Sequence, residues 1–197
     1  MANESKIILG IDPGTVVMGY GLISVTGNRL DLVTMGVIHL RKLQDHYRKL
    51  GLIYQRIESI IKEFKPDAVS YEAPFYGNNV QSMLKLGRAQ GVAMAPAILH
   101  NIPVFEYAPR KIKQSITGNG NASKEQVAHM VYSLLKIEEK AQYFDATDGI
   151  AAAICHHFQS QKPMGGKEAK DWKEFIYTIA HSRCWDTVNI ILVWFWI

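Results

Sequence analysis

The stretch Lys6-Ile7-Ile8-Leu9-Gly10-Ile11-Asp12-Pro13-Gly14-Thr15 decides how this chain is read. An apolar run of strand length ends in a carboxylate and then in a Pro-Gly turn. Lys6 to Asp12 is therefore a buried strand with an acid at its end. Val16 to Thr26 and Arg29 to Leu40 read as two further strands, joined at the short hairpin turn Thr26-Gly27-Asn28. The glycines of Gly19-Tyr20-Gly21 mark a place where the backbone must come close to something.

Beyond Leu40 the apolar period changes. Leu43, Tyr47, Leu50, Tyr54, Ile57, Ile61 and Phe64 recur at helical spacing, and Pro66 ends that helix. Ala68 to Glu72 is the next strand. A helix follows from about Asn79 to about His100, with Pro96 as a site for a kink. Its Gly87, Ala89, Gly91, Ala93 and Ala95 predict close packing. Pro103 to Tyr107 is a short strand, and Pro109 suits the first position of a short helix. Ser123 with Gln126 three residues on forms a capping box, and Val127, Val131, Leu134 and Leu135 make that helix's apolar face. A final helix carries Asp145 and Asp148. The order predicts an α/β fold: a mixed five-stranded sheet, an antiparallel meander plus parallel strands, with helices on both faces.

Composition narrows the function classes. The 197 residues are 48% hydrophobic and 20% charged, enough for a real core and unlike a disordered chain. The net charge of +4 and pI near 9.0 permit a polyanionic partner. Cys155 and Cys184 are too few for a disulfide framework and lack zinc spacing, which fits a reducing, cytoplasmic setting. The N-terminus does not read as a signal peptide. No stretch reaches the roughly 18 apolar residues of a membrane span, so no membrane partner is expected.

Four carboxylates stand at the edges of this scaffold. Asp12 and Glu72 end two strands expected to be parallel neighbours, about 4.8 Å apart. Asp145 and Asp148, spaced i, i+3, share one helix face. Acids at the edge of a buried scaffold are costly unless something binds them, and a pair of divalent metal ions is the obvious candidate. Each feature has a plainer reading. Asp12 before Pro13-Gly14-Thr15 is, alone, more often a strand-to-turn signal. The same residues also resemble the phosphate loop of actin-like and sugar-kinase ATPases, which normally need two such domains where this chain has room for one. Asp145 alone suits a helix cap. Lys113 and Lys124 alone are ordinary solvated lysines. His156 and His157 beside Cys155 read as a helix C-terminus with favourable charge placement rather than a metal site.

The ordered series of motifs goes further. Ile8-Leu9-Gly10-Ile11-Asp12-Pro13-Gly14 with Gly19-Tyr20-Gly21 resembles the opening of RuvC-type Holliday junction resolvases. So do Glu72-Ala73-Pro74-Phe75, Lys85-Leu86-Gly87, Ala89-Gln90-Gly91, Tyr107-Ala108-Pro109, Lys113-Gln114, Thr117-Gly118-Asn119-Gly120, Lys124-Glu125-Gln126-Val127 and Asp145-Ala146-Thr147-Asp148. The match runs in order from about Lys6 to about Phe158. It implies an RNase H-like fold, a homodimer and two-metal cleavage of four-way DNA junctions in recombination and repair. By position, Asp12, Glu72, Asp145 and Asp148 are the implied catalytic, metal-binding carboxylates. Phe75 is the implied aromatic at the junction, and Lys113 and Lys124 the implied DNA-backbone contacts. A RuvA-RuvB branch-migration complex is the implied partner.

Gln90 departs from the family's frequent arginine, which predicts one lost phosphate contact. Gly149 replaces a more usual alanine, which weakens that helix by up to about 1 kcal/mol. Residues 1–160 are expected to form the nuclease domain. Residues 161–197 read as a tail with a helix start and an apolar end, Ile190-Ile191-Leu192-Val193-Trp194-Phe195-Trp196-Ile197.

The implied chemistry suits the residues. Two divalent ions about 3.5–4 Å apart can activate water, hold a scissile phosphate and stabilise the leaving oxygen. Hard oxygen ligands favour Mg²⁺, with Mn²⁺ as a substitute. Without metal, the clustered acids would repel and their pKa values would rise. The alternatives are a non-catalytic junction-binding protein and an RNase H-like nuclease acting on RNA.

Overall fold

A computed structural model of the protein describes residues 5–74, 79–137 and 144–161. Its sheet is built from β1 (Lys6–Asp12), β2 (Val17–Thr26), β3 (Arg29–His39), β4 (Ala68–Glu72) and β5 (Val104–Tyr107), in the order β3-β2-β1-β4-β5. β1, β2 and β3 pair antiparallel, while β4 runs parallel to β1 and β5 parallel to β4. The hairpin turn falls at Gly27 and Asn28, with Gly27 at φ 61°, where glycine avoids the steric penalty of a side chain.

The helices are α1 (His46–Phe64), α2 (Val80–Leu99), α3 (Pro109–Thr117), α4 (Lys124–Leu135) and α5 (Phe144–Ser160). α1 starts later than its apolar period suggests. Asp45 accepts a hydrogen bond from the Tyr47 backbone and caps the helix, so Leu43 lies outside it and Tyr47 is 74% exposed. Lys65 then closes α1 in the left-handed conformation, just before Pro66. α4 begins with the expected Ser123–Gln126 capping box. α2 runs through Pro96 to Leu99.

Alternation along the strands divides the core in two. Leu9, Ile11, Met18 and Leu22 pack with Ile53, Ile57 and Ile61 of α1 and Ala89, Ala93 and Ala97 of α2. Ile8, Ile23 and Val25 face the other way, toward α3, α4 and α5. The small residues of α2 divide in the same manner. Ala89, Ala93 and Ala97 are buried and Ala95 is half-buried, but a side chain at Gly87 or Gly91 would meet nothing within 4 Å, so the close packing expected there applies only to the face of the buried alanines.

Tight contact occurs instead beneath α5. A Cβ at Gly10 would stand 2.0 Å from the Gly149 carbonyl oxygen, and one at Gly149 would stand 2.7 Å from Tyr20 Cα. Gly149 therefore does more than loosen its helix: it lets α5 lie on the backbone of the sheet. Ser70 fastens this contact, its buried hydroxyl donating to the Ala152 carbonyl at 2.8 Å. The described residues belong to one compact unit ending at Gln161. Residues 162–197, which hold most of the expected tail, lie outside the described residues.

Candidate active site

The acids meet because of strand register. Asp12 pairs with Gly19 across β1 and β2. A Cβ at Gly19 would fall 1.8 Å from the Asp145 carbonyl oxygen, so the first turn of α5 abuts the strand next to Asp12. One turn along the same helix face stands Asp148. One oxygen from each of Asp12, Asp145 and Asp148 lies within 4.8 Å of the others. On the other side of β1, Ile11 pairs with Tyr71, so Asp12 and Glu72 are the next residues of adjacent parallel strands.

Glu72 stands outside the three-acid group but lines a small cleft of about 60 Å³ with Asp12 and Asp148. Lys113 from α3 and Lys124 from α4 line the same cleft. The structure thus brings together all four sequence-predicted carboxylates and both lysines. Phe75 lies outside the described residues. A larger cleft of about 460 Å³ sits between β3 and α1, lined by Tyr20, Val37, Arg56 and Glu63 among others, and contains none of the predicted residues. Chemistry decides between the two: the small cleft holds converging acids and cations.

The acids carry the strain of proximity. Burial, then the negative charges of Glu72, Asp148 and Asp145, push Asp12 up to about 8, with Lys124 opposing. Burial and Asp148 push Glu72 up to about 7, with Lys124 and Lys113 opposing. Lys124 donates to Asp148 Oδ2 at 2.7 Å. Burial works against the lysine's charge, but the hydrogen bond and the surrounding acids prevail and raise its pKa. Hard carboxylate oxygens, converging within ligand reach and reluctant to ionise together, fit a divalent cation.

Gln90 is buried, and its amide donates to Glu106 Oε1 at 2.5 Å, tying α2 to β5. One expectation requires correction. His156 and His157 are buried as well. Burial pulls His156 down to about 4 and lowers His157, so neither supplies the helix-terminal charge expected of it. His156 instead packs against Phe105, and its Nδ1 lies 2.9 Å from the Tyr107 hydroxyl.

Two supports escaped the sequence reading. Ser70 looked like one more residue of a buried strand, although a polar side chain in an apolar run is itself a signal. Lys49 of α1 donates to the Thr15 carbonyl at 2.9 Å and holds the loop that follows Asp12. Nothing local in the sequence pairs residues 34 positions apart.

Residues 8–156 match the model of the RuvC family, crossover junction endodeoxyribonuclease RuvC. A protein of that name from Porphyromonas gingivalis is 56% identical over 181 residues, covering 89% of this chain and 96% of the relative. One from Bacteroides fragilis is 56% identical over 175 residues, covering 88% and 93%. The structure of Thermus thermophilus RuvC in complex with a Holliday junction substrate superposes with a TM-score of 0.74 at 29% identity, covering 79% of this chain and 95% of that one. A second Thermus thermophilus RuvC structure superposes with a TM-score of 0.72 at 30% identity, with the same coverage. With its motif series, its sheet order and its acid cluster in agreement, this chain belongs to the RuvC family of crossover junction endodeoxyribonucleases.

Proposed function

We propose that the chain resolves Holliday junctions by paired, symmetric phosphodiester hydrolysis, with Asp12, Glu72, Asp145 and Asp148 as catalytic, metal-binding carboxylates. The observation that carries this reading is the convergence of Asp12, Asp145 and Asp148 within 4.8 Å, beside two lysines, in a chain of this family. Two Mg²⁺ ions per site are the proposed cofactors, with Mn²⁺ as a substitute. Bound there, the ions would activate water and stabilise the leaving 3′ oxygen. The chain's own carboxylates would hold them: Asp12 and Asp148 belong both to the three-acid group with Asp145 and to the cleft that Glu72 lines. Lys113 and Lys124 would contact the DNA backbone, and Phe75 would stack on or wedge against a base.

A junction has approximate two-fold symmetry, which a homodimer with two equivalent sites matches. An exposed apolar face supports dimerisation through α2. Val80, Leu84 and Ile98 are 68%, 51% and 61% exposed and follow helical spacing with the open Gly87 and Gly91. Residues 1–160 form the nuclease unit in this reading, residues 161–197 a tail, and the RuvA-RuvB branch-migration complex is the partner. Among the described residues no helix is long and apolar enough to cross a membrane; a cytoplasmic location goes with the proposed substrate.

A labelled four-way DNA junction tests the proposal, incubated with Mg²⁺ beside a matched duplex and an RNA-DNA hybrid, with binding measured in EDTA. Symmetric nicks confined to the junction are expected. Junction binding without nicks would favour the non-catalytic alternative. Faster cleavage of the hybrid would favour the RNA nuclease.

A further inference from the structure

Lys124 reaches the acids from outside. Its backbone is fixed at the start of α4, where the Ser123 amide donates to Gln126 Oε1 at 2.9 Å and the Gln126 amide donates to Ser123 Oγ at 3.3 Å. Its stem is free to swing: the side chain is 58% exposed, while Asp148's is 13%. The ammonium stands 2.7 Å from Asp148 Oδ2, on an acid that belongs to the group converging within 4.8 Å. Lys113 lines the same cleft but makes no ion pair among the described residues. The two lysines therefore stand differently: Lys113 lines the cleft without an ion pair among the described residues, and Lys124 rests on a carboxylate.

We propose that Lys124 is a resident counterion of the metal-free acid cluster, and that divalent metal and Lys124 exclude one another from Asp148. This rests on the reading of the acids as a metal site. A Mg²⁺ ion takes a carboxylate oxygen at about 2.0–2.1 Å, and an ammonium takes one at about 2.7–2.9 Å. Two cations so close on one carboxylate repel, and the divalent ion has the stronger field. Metal entry expels the ammonium, and its flexible four-carbon stem carries it to the rim of the cleft, where a DNA phosphate would lie. The exchange is reciprocal. A phosphate that draws Lys124 off Asp148 opens the acids to metal, so metal and DNA backbone favour each other's binding. In the absence of both, the ion pair limits repulsion among the acids.

The test is Mn²⁺ binding by calorimetry to the full chain, DNA-free, for wild type, Lys124→Met and Lys113→Met, with thermal midpoints measured in EDTA and in saturating Mn²⁺. Removing the competing ammonium should tighten Mn²⁺ binding about three- to tenfold in Lys124→Met and by less in Lys113→Met. Lys124→Met should melt below wild type in EDTA, and saturating Mn²⁺ should narrow or close that gap. Equal or weaker Mn²⁺ binding by Lys124→Met overturns the counterion role while leaving the metal site standing. A melting deficit of the same size with and without Mn²⁺ also overturns it, because a lysine that only braces the fold behaves that way. No Mn²⁺ binding by any of the three proteins removes the metal site itself, and the inference with it.

Discussion

Gly19→Ala offers a direct test of how the acids are brought together. Gly19 lies in β2, opposite Asp12, and its missing side chain is where the first turn of α5 comes to rest. A Cβ there would stand 1.8 Å from the Asp145 carbonyl oxygen and 2.6 Å from its carbon. Ordinary carbon contacts begin near about 3.5 Å, so the helix start must retreat by about 1.5 Å or the strand must buckle. Neither group can rotate away, because both are backbone and β2 is paired on both sides. Overpacking costs about 1–3 kcal/mol in a well-packed core, and a backbone clash belongs at the upper end. At about 2–4 °C per kcal/mol for a domain of this size, the midpoint should fall by roughly 6–12 °C. The displaced Asp145 should lower junction cleavage by on the order of a hundredfold, as misplacements near 1 Å do. Gly51→Ala in α1 is the control: nothing lies within 4 Å of its Cβ, and alanine there should stabilise the helix by up to about 1 kcal/mol. Melting curves, Mn²⁺ calorimetry and junction cleavage read the outcome. If Gly19→Ala melts with wild type and cleaves at full rate, the backbone contact does not set the position of Asp145.

Three other outcomes follow from the same structure. Asp12→Asn, Glu72→Gln, Asp145→Asn and Asp148→Asn should each abolish junction cleavage and keep junction binding in EDTA; a variant that still cleaves well takes its residue out of the site. Asp12 and Glu72, pushed up to about 8 and about 7, hold protons in the folded metal-free chain that the unfolded chain has already lost. Their contribution to stability is therefore full below about pH 4 and lost as pH rises through 7 to 8. Melting in EDTA should show this decline for wild type and a shallower one for Asp12→Asn, and identical slopes would contradict the shift. Leu84→Glu on the exposed face of α2 should convert dimer to monomer in light scattering, whereas an unchanged mass would move the dimer interface elsewhere.

Much of this was legible because it depends on period and punctuation. Alternation gave way to helical spacing at the right places, and Gly27, Asn79, Pro109 and Ser123 bounded their elements. Asp12 and Glu72 could be placed side by side because parallel neighbours align their strand ends. What stayed hidden depends on the angle and depth at which helices meet the sheet. Nothing local tells that Gln90 turns inward to Glu106 while Gly87 and Gly91 turn outward. Nor does the pair His156-His157 reveal that α5 is buried at that point on both counts. The ion pair between Lys124 and Asp148 spans 24 residues and needs α4 and α5 already docked. Charge was readable as charge, but its partner was not.

The two apolar layers have a practical consequence. Every acid and lysine proposed for the site comes from a strand end of β1 or β4, or from α3, α4 and α5. The layer of Ile53, Ile57 and Ile61 against Ala89, Ala93 and Ala97 supplies none of them. An engineer seeking a hardier enzyme can therefore redesign that layer with the catalytic layer left alone. Heat tolerance can then be adjusted in that buried layer, provided Lys49 on α1 and the exposed face of α2 are kept.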